Sequence, residues 1–282
     1  MTERLADVTA RIDGIKQLDT VVNAMTGMAA VRARVAREQI AAVDSYTASI
    51  AAAVGRVLPL TLASMPEPDL PGGLALLVFT AEQGFAGAFS ERVLDTIEGD
   101  VAAAELLLVG TRGKAIAESR GIHPAWSAVM PSHSPGIPKF ADHILHQIRQ
   151  LIDSGRIGHV DAVYTDWIAG AAQVRRQQLF PVDLPVTSAD RSTAPLMNLP
   201  AAQLVAALGD DYFHACICNI ALHAYAAENE ARMAAMAAAR SQIERELSEN
   251  QALERRVRQE AITAEIIELA TGEQAGRANR KR

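Results

Sequence analysis

Two glycine-rich turns are the first places where this chain could do chemistry. Gly84-Phe85-Ala86-Gly87-Ala88-Phe89 follows an apolar run, Leu74-Ala75-Leu76-Leu77-Val78-Phe79. A turn of this kind after a strand can aim backbone N–H groups at a phosphate. The dinucleotide fingerprint needs G-x-G-x-x-G, however, and this is G-x-x-G beside Phe85 and Phe89, so it reads as a tight strand-to-helix turn. Gly110-Thr111-Arg112-Gly113-Lys114 also follows a strand-like run, Glu105 to Val109. A P-loop is longer and places Ser or Thr after its Lys, where this chain has Ala115. Nucleotide hydrolysis by this chain alone is not expected.

His214-Ala215-Cys216-Ile217-Cys218, with His223 beyond, has the residue types of a metal site. On a helix, residues two apart point about 200° apart, so Cys216 and Cys218 cannot share a tetrahedral ion. They read as buried small hydrophobes, and two cysteines cannot build a disulfide framework. Asp142, His143 and His146 read as the polar face of a helix. No G-x-S-x-G elbow is present. No metal, no cofactor and no catalytic residue is expected. Arg255-Arg256-Val257-Arg258-Gln259 is a basic cluster in a chain of net charge -6. It reads either as a solvated face beside Glu254 and Glu260 or as a contact for acidic loops of a partner. The acidic balance argues against nucleic acid as a partner.

The elements follow from the helix breakers. All 12 prolines lie between Pro59 and Pro200, and Gly209 is the one glycine between Ala201 and Thr271. Proline costs a helix interior ~3 kcal/mol, so both ends are free to form long helices. Leu5, Val8, Ile12, Ile15, Leu18, Val22, Met25 and Ala29 recur by threes and fours, a narrow coiled-coil stripe. A helix from Thr2 to Leu58 would be roughly 80 Å long. The second, Ala201 to Ala270, would span roughly 100 Å. Its seam is read as Met233, Met236, Ile243, Leu247, Leu253, Val257, Ile262, Ile266 and Leu269, interrupted by Asn229, Arg240 and Asn250, with Gly272 as the C-terminal cap.

Between them, strand-like runs at 74–79, 105–109, 160–164 and 174–179 alternate with a helical pattern at 140–152. That pattern predicts a small, open, Rossmann-like α/β sheet. The fold class is therefore an α/β middle flanked by long terminal helices forming an antiparallel coiled coil. The expected division is residues 1–58 and 201–272 for the helices, 59–200 for the α/β domain and 273–282 for a basic tail. No apolar run is long enough to span a membrane, and no signal peptide is read at the N-terminus. Helices this long with scattered apolar residues call for an enclosing partner.

The layout and its local motifs resemble the gamma subunit of F-type ATP synthases over nearly the whole chain. Ala24-Met25 and Met28-Ala29-Ala30-Val31-Arg32 are similar to that family's T-x-K-I-T-K-A-M-x-M-V-A-A-x-K stretch. Thr80 to Phe89 resembles its S-D-x-G-L-C-G-G-F-N turn, Val163-Tyr164-Thr165-Asp166-Trp167 its V-Y-N-x-F, and Gln178-Leu179-Phe180-Pro181 its L-L-P. Ala227 to Met236 resembles S-E-x-A-A-R-M-x-A-M, Arg258 to Leu269 resembles R-Q-A-x-I-T-x-E-I-x-E-I, and Thr271-Gly272 its S-G. Val22, Asn23 and Thr26 stand where the family has lysines, and Gly27 where it has Met. These departures are similar to a divergent branch, such as the alternative sodium- or proton-translocating type of some bacteria.

The resemblance implies a central rotor shaft with catalysis on its partners. Those partners would be alternating alpha and beta subunits, the epsilon subunit and the membrane c-ring, placing the chain peripherally at the cytoplasmic face of the inner membrane. It assigns beta-subunit contacts to Met25, Arg258, Gln259 and Glu265, with Met25 facing the same partner region as Arg258 and Gln259. It assigns Ile262, Ile266 and Leu269 to a smooth bearing. A coiled-coil scaffold and an α/β nucleotide- or phosphate-binding enzyme with helical arms are the alternatives.

Overall fold

A computed structural model describes residues 2–60, 72–182 and 196–279, with side chains from Arg4 to Thr271 among them. Two compact units form: Met28–Ala234, and Met1–Gly27 with Ala235–Arg282. Two long helices, α1 (Thr2–Val57) and α5 (Ala201–Asn279), contribute to both. The units therefore divide inside the helices, where the sequence reading had cut at the helix ends. Residues 28–57 and 201–234 side with the sheet because their apolar residues pack on it or on each other.

The larger unit holds a five-stranded sheet in the order β3-β2-β1-β4-β5. Its strands are β1 (Gly73–Phe79), β2 (Ala104–Val109), β3 (Trp126–Ala128), β4 (Ile157–Ile168) and β5 (Ala171–Phe180). The first four run parallel, and β5 returns antiparallel to β4. The central strands are continuously apolar because both faces are covered. Leu76, Val78, Leu106 and Leu108 pack under α2 (Phe89–Ile97) and α3 (Thr111–Ser119) through Val93, Leu94, Ile97 and Ala117. Ala75, Leu77, Phe79, Leu107 and Val109 face the other way, against α4 (Ile137–Asp153) and α5. There α4 presents Phe140, Ile144, Ile148 and Leu151, spaced by threes and fours, and α5 presents Phe213, Ile217, Ile220 and Tyr225. The short β3 and the nine-residue helices α2 and α3 are additions to the elements read from sequence.

In the smaller unit the helices run antiparallel, with Arg4 3.9 Å from Glu260 and Arg240 4.0 Å from Asp19. Val8, Ile12, Ile15 and Val22 are buried, which fixes an alternation of four and three. That phase requires residue 19 in the seam, not 18. Asp19 accordingly turns inward, where Asn23 donates to it at 3.2 Å, and Leu18 is 57% exposed. The expected place of Leu18 in the stripe is therefore corrected.

The α5 seam also differs from its reading. Asn250 and Val257 are buried, and Ala261 and Ala264 continue the half-buried line. Ile262, Ile266 and Leu269 are outside it, 53%, 61% and 69% exposed. Ion pairing of Arg4 with Glu260 sets Thr2, the first described residue, near residue 262, so the described part of α1 offers no cover beyond that level. The helix continues through Gly272 to Asn279. One glycine costs a helix only about 1 kcal/mol, and the residues that follow are mostly helix formers. Residues 280–282 of the expected basic tail lie outside the described residues.

This phase assignment gives a contrast for thermal unfolding followed by circular dichroism. Leu18→Asp should change stability by less than about 0.5 kcal/mol, because the side chain is already in water. Ile15→Asp should cost about 3 kcal/mol or more, because it puts an unpaired carboxylate in the seam.

Candidate functional site

The carboxyl ends of parallel strands are where an open α/β sheet binds ligands. Here the turn after β1 carries Glu82 and Gln83, which lead into the glycine-rich segment Gly84–Phe89 singled out from sequence. Its backbone N–H groups are aimed at an anion, and that anion is the chain's own Glu228. The Glu228 carboxylate accepts from the Glu82 N–H at 3.0 Å and the Gln83 N–H at 3.2 Å. Arg232, one turn further along α5, donates to the same carboxylate, to the Gln83 carbonyl at 3.3 Å and to the Gly84 carbonyl at 3.2 Å. It also donates to Asn229 Oδ1 at 3.1 Å, while Asn229 donates to the Tyr225 carbonyl at 2.8 Å. Glu228, Asn229 and Arg232 are 4%, 2% and 4% exposed, so this is a dry, fully paired charge cluster.

The side chain of Glu82 extends the cluster across the sheet. It accepts from the Thr111 N–H at 3.0 Å and the Thr111 hydroxyl at 2.6 Å, where α3 begins after β2. It also accepts from the Met130 N–H at 2.9 Å, just beyond β3. Three strand ends are thus tied to one side chain.

The second glycine-rich turn is explained by close approach, not by a ligand. Gly110 has φ 111° and donates to the Ala128 carbonyl at 3.0 Å. A Cβ on Gly113 would fall 1.9 Å from the Thr80 hydroxyl, so only glycine lets α3 start this close to β1. In the first turn the Glu82 and Gln83 N–H groups are engaged by Glu228, and in the second the backbone is packed against Thr80.

The metal-like residues come together only in part: His214 lies 3.9 Å from Cys218 Sγ. Cys216 and Cys218 are both free and buried. Burial pushes the Cys218 thiol up to about 12, with Asp142 adding to the effect, and raises Cys216 in the same direction. Such thiols are poor ligands and poor nucleophiles. His143 lies edge-on to Trp126, His146 pairs with Gln150, and His223 Nδ1 lies 2.9 Å from Asp166. Asp142 is 3.2 Å from His214. Among the described residues no group of three or more His, Cys, Asp or Glu could hold a metal ion.

The partner-facing residues named from sequence belong to the smaller unit, where Arg258, Gln259, Ile262, Glu265, Ile266 and Leu269 are all exposed. At 100° per residue they fall within an arc of about 120° on α5, facing away from the seam at Val257 and Ala261. Arg258 donates to Glu254 at 2.7 Å, an exposed pair one turn apart that water or a partner can readily replace. Met25 is half-buried on α1. The antiparallel pairing sets it roughly 30 Å along the helices from Arg258. The structure therefore groups six of the seven residues on one face and places Met25 elsewhere along the helix pair.

A family model described as ATP synthase matches residues 4–275. The ATP synthase gamma chain of Clostridium botulinum is 30% identical over 210 residues, covering 71% of this chain and 72% of that one. The chain belongs to the ATP synthase gamma-chain family. Within that family, the gamma chain of Symbiobacterium thermophilum is 25% identical over 287 residues, covering 98% of this chain and 99% of its own length. The fold agrees with a chain of the Euglena gracilis mitochondrial ATP synthase assembly described as OSCP/F1/c-ring, at TM-score 0.71 and 15% identity, over 100% of this chain and 97% of that one. This gamma-family chain is divergent in sequence but complete in the family's elements: long terminal helices and a five-stranded sheet between them.

Sequence reasoning missed Glu82, Glu228 and Arg232. The available signal was the polar run Glu228-Asn229-Glu230 and Arg232 within an alanine-rich helix. Such a run is buried only where a second surface supplies partners.

The buried thiols set a pH expectation. The unfolded chain releases the Cys218 proton near 9.0 and the folded chain only near about 12. Its contribution to stability is thus intact below pH 9 and is lost as pH rises toward 12. Urea midpoints should fall above pH 9, and less steeply in Cys218→Ala. At pH 8 a thiol-specific reagent should label the unfolded chain quickly and the folded chain barely, since both thiols are buried and burial disfavours their thiolates.

Proposed function

We propose that this chain is the central rotor shaft of an F-type ATP synthase. In this reading it couples ion flow through a membrane ring to conformational change at catalytic sites on surrounding beta subunits, and it is itself non-catalytic. The observation that carries the reading is the family match across residues 4–275, joined to an exposed arc of α5 that combines Arg258 and Gln259 with Ile262, Ile266 and Leu269. An asymmetric helix pair offers a different face to each beta subunit, so turning it changes which conformation each one favours. The apolar part of the arc gives non-directional contact, which suits a surface that slides.

Met25, Arg258, Gln259 and Glu265 are assigned to beta-subunit contact and Ile262, Ile266 and Leu269 to the bearing. Residues 59–200 are the foot, set on the epsilon subunit and the c-ring, between shaft helices at 1–58 and 201–272. No helix among the described residues is long and apolar enough to cross a membrane, in keeping with peripheral attachment through the complex at the cytoplasmic face. The non-catalytic reading is supported by the turn after β1, whose N–H groups hold Glu228. The same contact weighs against the phosphate-binding alternative.

Co-expression with cognate alpha and beta subunits tests the reading. One copy of the chain should co-elute per hexamer, and MgATP hydrolysis should depend on it. Absence of co-elution returns the chain to the scaffold class. Arg258→Ala should leave the isolated chain within about 0.5 kcal/mol of wild type, the worth of an exposed pair one turn apart. In the reconstituted complex it should weaken ATP-driven ion pumping. Unchanged pumping would remove Arg258 from the contact set.

A further inference from the structure

We propose that Glu228 and Arg232 are the torque clamp of the rotor, the point where α5 is locked to the sheet against twisting. The proposal rests on the rotor reading and names the residues that let this helix carry load. Arg232 is two residues before Ala234, the last α5 residue of the larger unit, so the clamp is the last tie between α5 and the turn after β1 before the helix passes to the segment that pairs with α1. The apolar contacts around it come from Ala81, Ala86, Phe89, Ala227 and Ala231, with Trp167 at the side. Contacts of that kind attract without direction and resist slippage poorly. Hydrogen bonds to backbone atoms are directional, and here they join one rigid element to another.

Glu228 grips two N–H groups of the turn and Arg232 grips two carbonyls, so donors and acceptors of the same three residues are held at once. Rotating α5 about its axis would break these four bonds to the turn together, while the Glu228–Arg232 pair, both on α5, would turn with the helix and lose its backbone partners. From the turn the load passes through the Glu82 side chain to Thr111 and Met130, which spreads it to the ends of β2 and β3. Buried ion pairs of this kind are seldom the cheapest route to stability, since apolar residues of similar volume often serve as well. What they add is a single permitted geometry.

The test uses the whole ATP synthase in sealed vesicles, with ATP hydrolysis and ATP-driven ion uptake measured on the same preparation. The Glu228→Gln/Arg232→Met double variant should assemble and hydrolyse ATP like wild type when no gradient opposes it. Against a growing gradient, its ions moved per ATP should fall several-fold below wild type, because the helix slips under load. Arg232→Lys keeps a charge for Glu228 but loses reach to the carbonyls, and should fall between. A purely structural role would lower the yield of complex and leave the ratio per assembled complex unchanged. A wild-type ratio in the double variant overturns the clamp while leaving the rotor standing. If the double variant does not assemble, Arg232→Lys decides by the same ratio. Failure of both to assemble assigns the pair to folding alone and overturns the proposal. A wild-type chain that forms no coupled complex removes the rotor reading itself.

Discussion

The Glu228 carboxylate ties the turn after β1 to the longest helix, beside the apolar packing of Phe213, Ile217, Ile220 and Tyr225 on the sheet. It accepts from two backbone N–H groups of the turn after β1, those of Glu82 and Gln83. Arg232 neutralises it from one turn along the helix, and Asn229 orients Arg232. The turn so fixed can then lend its own Glu82 to the ends of β2 and β3. A nucleotide-binding sheet would spend the same backbone geometry on a phosphate. Here an internal anion fills that place, and a fold capable of ligand chemistry becomes a mechanical mount.

The helix pair obeys a different constraint, the alternation of three and four that keeps one seam facing its partner. Once Val8, Ile12, Ile15 and Val22 are in, residue 19 has no choice, and an aspartate enters the seam opposite Arg240. On the other strand Asn250 is buried and donates to the Glu246 carbonyl at 2.7 Å. Polar residues at such positions favour one alignment over its shifted competitors, at some cost in stability.

Much of this architecture was legible in the chain itself. Proline placement marks the long helices, and the apolar runs at β1, β2 and β4 are continuous because helices cover both faces of the sheet. Trp126–Ala128 escaped because three half-buried residues carry no period. Leu18 fits the stripe locally because a step of three is as good as a step of four; only the phase of its neighbours puts residue 19 in the seam instead. Glu82 and Glu228 are 146 residues apart in sequence, so no window could join them. The exposed arc from Arg258 to Leu269 rests on a resemblance for its role, but its common face follows from helical geometry alone.

The antiparallel pairing of Arg4 with Glu260 and of Asp19 with Arg240 makes the two helices answerable to each other in length. Residues inserted into α1 between Arg4 and Asp19 would push one pair out of reach unless α5 lengthened by a matching amount between Arg240 and Glu260. An insertion that is not a whole number of heptads would also rotate Val8 or Val22 out of the seam. Change in reach is therefore open to this pair only in paired, heptad-sized steps, whereas either helix can change its outward-facing residues one at a time.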